Sequence, residues 1–250
     1  HTLSLHDALP ISFWRVFVIK TAGEVVNLTT PAGYIGGEPV KAHLLTRHQV
    51  PMVEGLASVV IAKTTKTVAE VLFILLGVTL AFWRTDSDGS LEQTVVASLV
   101  SVATLLFVTA SLVFAQRRGF FTWLLQFTRK IGLKIAFLES REEKIRSLDR
   151  MILDYYSHNR KAVYSSTGVF FLSWLSEAFE VYLIIWFLGG PATALSAISI
   201  NALSVFIKGG SFFIPGSLGA QDIGNFLLLK DFGYSDVASM TFALVRRYRE

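Results

Sequence analysis

Two short stretches bring together residues that could hold a polar ligand inside an apolar chain. PAGYIGGE runs from Pro31 to Glu38, and PGSLGAQD runs from Pro215 to Asp222. Each opens on proline, carries glycines within, and places a carboxylate seven residues after the proline. A charge also stands seven residues before each proline, Glu24 in one case and Lys208 in the other. Proline removes a backbone donor and glycine loosens a helix, so both stretches predict a helix that is broken and restarted. The restarted half exposes N–H groups at its N-terminus, which attract anions. The candidate binding residues are Glu24, Asn27, Gly36, Gly37 and Glu38 in the first set. Lys208, Pro215, Gly216, Gly219, Gln221 and Asp222 form the second. Arg246, Arg247 and Arg249 near the chain end offer guanidinium forks that could pair with Glu38 or Asp222, or contact a phosphate. Glu24 and Lys208 are candidates for a buried pair or for headgroup contacts. Ordinary surface loops rich in Pro and Gly would read the same way; the charges around these two favour a site.

Other chemistry is thinly represented. Glu177 and Glu180 are three apart on one face of an apolar segment, where ionisable residues are functional candidates or buried structural partners. His43 and His48 have no third ligand in reach, so no metal site is expected. No nucleophile elbow, P-loop or dinucleotide fingerprint is present. There is no cysteine, hence no thiol nucleophile and no thiolate metal site. No cofactor and no enzymatic activity are expected. Asn27-Leu28-Thr29 fits a glycosylation sequon, but its place at membrane depth makes it a coincidence of letters.

The elements that position these residues follow from hydropathy. Of 250 residues, 52% are hydrophobic and only 17% are charged, against about 25% charged in soluble domains. The mean hydropathy is +0.51. Thr67–Phe82 is broken only by Glu70, Thr94–Ala115 has no charge, and Ala162–Phe206 has only Glu177 and Glu180. A helix needs about 20 such residues to cross a bilayer, and helices satisfy their own backbone there. The expected fold is all-α: a polytopic helical membrane protein with about six hydrophobic segments, two broken or re-entrant helix motifs and a cytoplasmic amphipathic insert. The insert is Arg117–Lys161, with eleven Lys or Arg against five Asp or Glu. Within it Leu138, Ile145, Leu148, Met151, Ile152 and Tyr155 recur at helical spacing, predicting helices that lie on the membrane surface. The basic insert places itself inside and RTDSDGSLE (Arg84–Glu92) outside. A net charge of +4 suits anionic lipid headgroups and is too diffuse for nucleic acid.

The N-terminal stretch TLSLHDALPI (Thr2–Ile11) back-translates to a common sequencing-library adapter. Residues 1–12 are therefore expected to be a non-native leader, and 13–250 a single membrane domain cut from a longer gene.

The stretches Glu24–Leu45 (EVVNLTTPAGYIGGEPVKAHLL), Phe212–Asp222 (FFIPGSLGAQD) and Leu244–Glu250 (LVRRYRE) together resemble the lysylphosphatidylglycerol synthase transmembrane-region family of flippase-like membrane proteins. SWLSEAFEVYLIIWFLGGP (Ser173–Pro191) looks most like its hopanoid-biosynthesis-associated branch. The resemblance covers nearly all of 13–250. It implies a multi-pass, all-helical protein of the bacterial inner (cytoplasmic) membrane that moves or handles a polar lipid, such as an aminoacylated phospholipid. It implies a membrane lipid as substrate and no cofactor, with a lipid-biosynthesis enzyme as a possible partner. The soluble aminoacyl-transfer domain of some relatives has no counterpart in this chain, which argues for translocation and against synthesis. The family pattern leads one to expect Glu where Asp222 stands, and the shorter side chain alters reach. Two alternatives are a non-catalytic membrane scaffold for lipid biosynthesis and a small-solute transporter.

Overall fold

A computed structural model describes residues 11–30, 36–84, 103–104, 106–107, 109–111, 113–116, 118–130, 141–211, 214 and 217–249. All of the regular structure among them is helical. The helices are α1 (Phe13–Thr29), α2 (Gly37–Thr46), α3 (Met52–Arg84), α4 (Phe120–Lys130), α5 (Glu142–His158), α6 (Arg160–Phe187), α7 (Ala194–Gly210), α8 (Ala220–Asp231) and α9 (Asp236–Arg249). Residues Pro31–Ile35, Pro215 and Gly216 lie outside the described residues, as do the leader through Pro10, most of the Arg84–Glu92 linker, and Leu138.

Both predicted breaks fall between helices. α1 ends at Thr29 and α2 starts at Gly37; α7 ends at Gly210 and α8 starts at Ala220. The helices on either side of each break pack on one another. Asn27 meets Gly37 and Gly23 meets Lys41 across the first break. Ser204 meets Asn225 and Ile207 meets Gly224 across the second. In each case the contacts move away from the break along both helices, four residues on each side in the first, which is the pattern of an antiparallel helical hairpin.

α3 is one continuous helix of 33 residues, about 50 Å at 1.5 Å per residue. It begins well before the apolar run Thr67–Phe82 from which a span was expected. Lys63 and Lys66 change the medium a helix prefers without interrupting its backbone, so the helix runs through them. Among the described residues, α6 is the helix long and apolar enough to cross a membrane. Only 17% of its most apolar window is buried within the chain, whereas the core helix of a soluble protein would be mostly covered. Tyr164 near its start, and Trp186 and Phe187 at its end, are exposed. Tyr164 and Trp186 lie about 33 Å apart along the axis, close to the roughly 30 Å of a bilayer core flanked by aromatic belts.

The chain divides into two compact units, His1–Thr64 with Ala110–Tyr164, and Thr65–Thr109 with Ser165–Glu250. In the first, Ala57 and Ile61 of α3 are buried with Leu148 and Ile152 of α5. This corrects the expectation for α5: its apolar stripe packs on α3, with Met151 and Tyr155 beside it, rather than on lipid. The stripe also holds a buried carboxylate, Asp149. Its oxygens accept the backbone N–H groups of Phe121 at 3.2 Å and Thr122 at 2.7 Å, capping α4 from a neighbouring helix. In the second unit, Val181 and Ile185 of α6, Ala197 and Ile200 of α7, Leu229 of α8 and Phe242 of α9 form the core with Tyr234. Phe73 of α3 fills a second cluster with Ala178 and Ala202, stacked on Trp174.

Candidate functional site

The first hairpin carries a compact set of charges. Asn27, two residues before the end of α1, is 3% exposed. Its carbonyl oxygen accepts the N–H of Gly37 at 2.7 Å, satisfying a donor at the start of α2 that has no partner within its own helix. Its amide nitrogen faces both Glu24 and Glu38 at 3.4 Å. Lys41, one turn beyond Glu38 on α2, places its ammonium 2.7 Å from Glu24 and 3.3 Å from Glu38. Lys63 of α3 reaches Glu38 at 3.4 Å. Two carboxylates thus alternate with two ammonium groups around one buried amide.

This arrangement requires the helices to touch backbone to backbone. A Cβ on Gly37 would meet the Gly23 carbonyl oxygen at 1.9 Å, and a Cβ on Gly23 would meet the Lys41 side chain at 2.3 Å. Glycine at both positions lets the Lys41 stem lie flat across α1, so that its ammonium reaches the carboxylates. The side chains of Lys41 and Glu38 are 11% and 15% exposed; those of Glu24 and Lys63 are 39% and 41%. The cluster therefore runs from a covered centre to two open ends. Chemically it can exchange one ion-pair partner for a ligand charge at either open end while the centre holds. Gly36 is the residue immediately before α2, and Glu38 sits in its first turn, where a carboxylate complements the positive end of the helix.

The second set divides between cap, core and clamp. Asp222 stands in the first turn of α8 and accepts the N–H of Gly219 at 3.1 Å. Gly219 has a φ of +79°, a conformation that favours glycine. Gln221 is buried beside it. Lys208 is half-buried in the last turn of α7, where a cation complements the negative helix end. Glu24 has Lys41 as an ion-pair partner within its own hairpin.

Two of the arginines find partners within the second unit. Arg246 is 3% exposed and donates to the Asn201 side chain on α7 at 3.0 Å. Arg249 contacts Glu180 at 2.5 Å and Glu177 at 3.6 Å, bridging both carboxylates of α6. Arg247 is half-buried on α9. Arg249 thus clamps α9 to α6 through Glu177 and Glu180.

Several polar residues were missed by sequence reasoning. Lys41 follows Glu38 by one helical turn and was detectable on that ground; Lys63 comes from another helix and was not. On α7, Ser199, Asn201 and Ser204 are buried, and Ser204 donates to Asn225 of α8. Small polar residues recurring in an apolar helix signal close helix packing with interhelical hydrogen bonds. Among the described residues, no group of three or more His, Asp or Glu is arranged to hold a metal.

Comparison with known proteins places this geometry in context. The chain matches the family described as the lysylphosphatidylglycerol synthase TM region over residues 2–249. It is 24% identical over 221 residues to a UPF0104 membrane protein of Methanothermobacter thermautotrophicus, a match covering 83% of this chain and 62% of that protein. The chain thus spans less than two thirds of that relative's length. These matches do not single out the hopanoid-associated branch. No solved structure shows a significant match.

Proposed function

The chain belongs to the lysylphosphatidylglycerol synthase transmembrane-region family, and from that premise we propose that it is a flippase-like lipid translocase. It moves a phospholipid or other polar lipid across the bacterial inner membrane as a multi-pass protein and performs no covalent chemistry. One observation carries this reading: the charged cluster of Glu24, Asn27, Glu38, Lys41 and Lys63 seated on a broken helical hairpin. Ionisable groups in a membrane protein mark substrate paths unless they serve structure alone. Paired helix breaks are the sequence pointer to transporter binding sites. A zwitterionic or anionic headgroup could enter at the open Lys63 or Glu24 end and exchange for one ion-pair partner there. The second hairpin, with Asp222 in the first turn of its second helix, supplies a related break. Transport would be facilitated or ion-coupled.

The reading is tested by reconstituting the full-length protein into liposomes that contain a fluorescent headgroup-labelled phosphatidylglycerol. Label exposed on the outer leaflet is reduced chemically, and the inner pool is followed. Translocation predicts that the protected pool falls below the half seen in protein-free vesicles. A protected pool equal to that of empty vesicles refutes it.

One observation favours a second reading. The four charges named in the cluster sum to zero, as a purely structural clamp would arrange. A scaffold that presents lipid to a biosynthetic enzyme would keep the clamp and show no movement of lipid in the same assay.

A further inference from the structure

The α5 stripe expected to face lipid is covered by α3, yet a different face of the same basic segment is left open. On α4, Trp123, Leu124 and Phe127 are 55%, 40% and 45% exposed, whereas Leu125 is 3% exposed. Phe120, Trp123 and Phe127 recur at helical spacing and line one ridge. Their rings stack in series: Phe120 to Trp123 at 6.3 Å and Trp123 to Phe127 at 5.4 Å between centroids. A ridge of three stacked rings and a leucine, exposed at Trp123, Leu124 and Phe127 and half-buried at Phe120, on an 11-residue helix marks an interaction surface.

The ridge is held in a fixed direction. Leu125 is buried on the opposite side, and buried Asp149 grips the N-terminal amides of Phe121 and Thr122. Gly119, with φ +83°, turns the chain into α4 from a preceding helical stretch. That stretch already presents an exposed apolar residue, Phe114, with the Arg118 guanidinium 4.3 Å from its ring centroid. Arg118 and Lys130, at the two ends of the ridge, are both exposed.

We propose that the α4 ridge is an in-plane membrane anchor, with Phe120, Trp123, Leu124 and Phe127 seated at the boundary between headgroups and acyl chains of an anionic leaflet. The chemistry fits a lipid surface. Aromatic side chains favour that boundary, and cations at each end match anionic headgroups. The ridge continues from a chain stretch that is itself apolar and exposed. Helices with Trp, Phe and Leu on one face and basic residues around it lie in the interface plane. The inference rests on the chain being a membrane protein and is independent of whether it translocates lipid.

These 250 residues hold no cysteine, so with any cysteine outside them replaced by serine, one introduced cysteine reports alone. Phe127→Cys on the ridge and Gln126→Cys on its exposed flank are labelled with an environment-sensitive fluorophore in the full-length protein. Each is reconstituted into phosphatidylglycerol–phosphatidylcholine vesicles. Quenching by aqueous iodide and by lipids brominated on the acyl chain is then compared. The anchor predicts that the label at 127 is quenched by bromolipid and shielded from iodide about threefold or more relative to 126, as an interfacial helix requires. Equal iodide access at the two positions overturns the proposal, because the ridge then faces water. Shielding at 127 from both quenchers also overturns it, because protein then covers the ridge. Trp123→Cys, on the same ridge, gives the same comparison if Phe127→Cys does not reconstitute.

Discussion

Replacing Gly37 with alanine adds one carbon at the closest approach of α1 and α2. That carbon would lie 1.9 Å from the Gly23 carbonyl oxygen, 2.8 Å from the Gly23 carbonyl carbon and 2.9 Å from Cγ of Asn27. The first two obstacles are backbone and cannot rotate away. Relief to van der Waals contact requires the helices to part by more than about 1 Å. Such a shift stretches the 2.7 Å bond from Gly37 N–H to Asn27 to roughly 3.8 Å, beyond hydrogen-bond range. Overpacking costs about 1–3 kcal/mol, and a buried amide left unsatisfied costs about 1–3 kcal/mol more. The helix-propensity gain of alanine returns at most about 1 kcal/mol. The net loss is about 3 kcal/mol, which in a chain of this size lowers the melting temperature by about 6–12 °C. Gly168 in α6 is the matched control, because a Cβ there meets nothing within 4 Å. Gly168→Ala should leave melting unchanged or raise it slightly. Thermal melting of the full-length protein in detergent, followed by tryptophan fluorescence, makes the comparison. If Gly37→Ala melts with Gly168→Ala, the close approach of α1 and α2 is wrong.

Three further outcomes follow from the same geometry. Lys41→Met leaves Glu24 and Glu38 facing each other around Asn27 and should destabilise by about 3 kcal/mol; adding Glu24→Gln should recover part of that loss in the same melt. Asp149→Ala uncaps α4 and should cost about 1–3 kcal/mol, with faster hydrogen exchange at the Phe121 and Thr122 amides as its local signature. Asp222→Asn keeps an oxygen that can accept from Gly219 N–H, so stability should change by less than about 0.5 kcal/mol, and any loss of lipid movement in that variant reports on the missing charge.

The parts legible in the sequence were those set by neighbours in the chain. Pro and Gly act on their own backbone, so both helix breaks could be located from Pro31–Glu38 and Pro215–Asp222 alone. The start of α6 followed from its hydropathy, because the apolar block from Ala162 begins where the charges of the basic insert stop. What could not be read was which surface covers which. An apolar stripe on α5 says that one face avoids water, and lipid and α3 satisfy that demand equally well; only the position of Ala57 and Ile61 decides it. The same holds for charges. Asn27, Glu24 and Glu38 were candidates from their place around the break, but Lys63 joins them from a helix that follows in the chain. Arg249 reaches Glu177 and Glu180 across 72 and 69 residues of sequence. The extent of α3 was misjudged because hydropathy reports the surrounding medium, and a helix does not end where that medium changes.

The central claim is that the hairpin cluster serves lipid movement, and Glu38→Gln tests it most directly. This change keeps the volume and the first turn of α2 while removing the charge that Lys41, Lys63 and Asn27 share. The decisive measurement is the rate of leaflet exchange of labelled phosphatidylglycerol in liposomes, compared between full-length wild type and Glu38→Gln at equal reconstituted protein. The account predicts a loss of about tenfold or more, the effect of about 1.4 kcal/mol on a barrier, with folded protein recovered in both cases. An unchanged rate in a folded Glu38→Gln protein would contradict it and leave the cluster as a structural clamp.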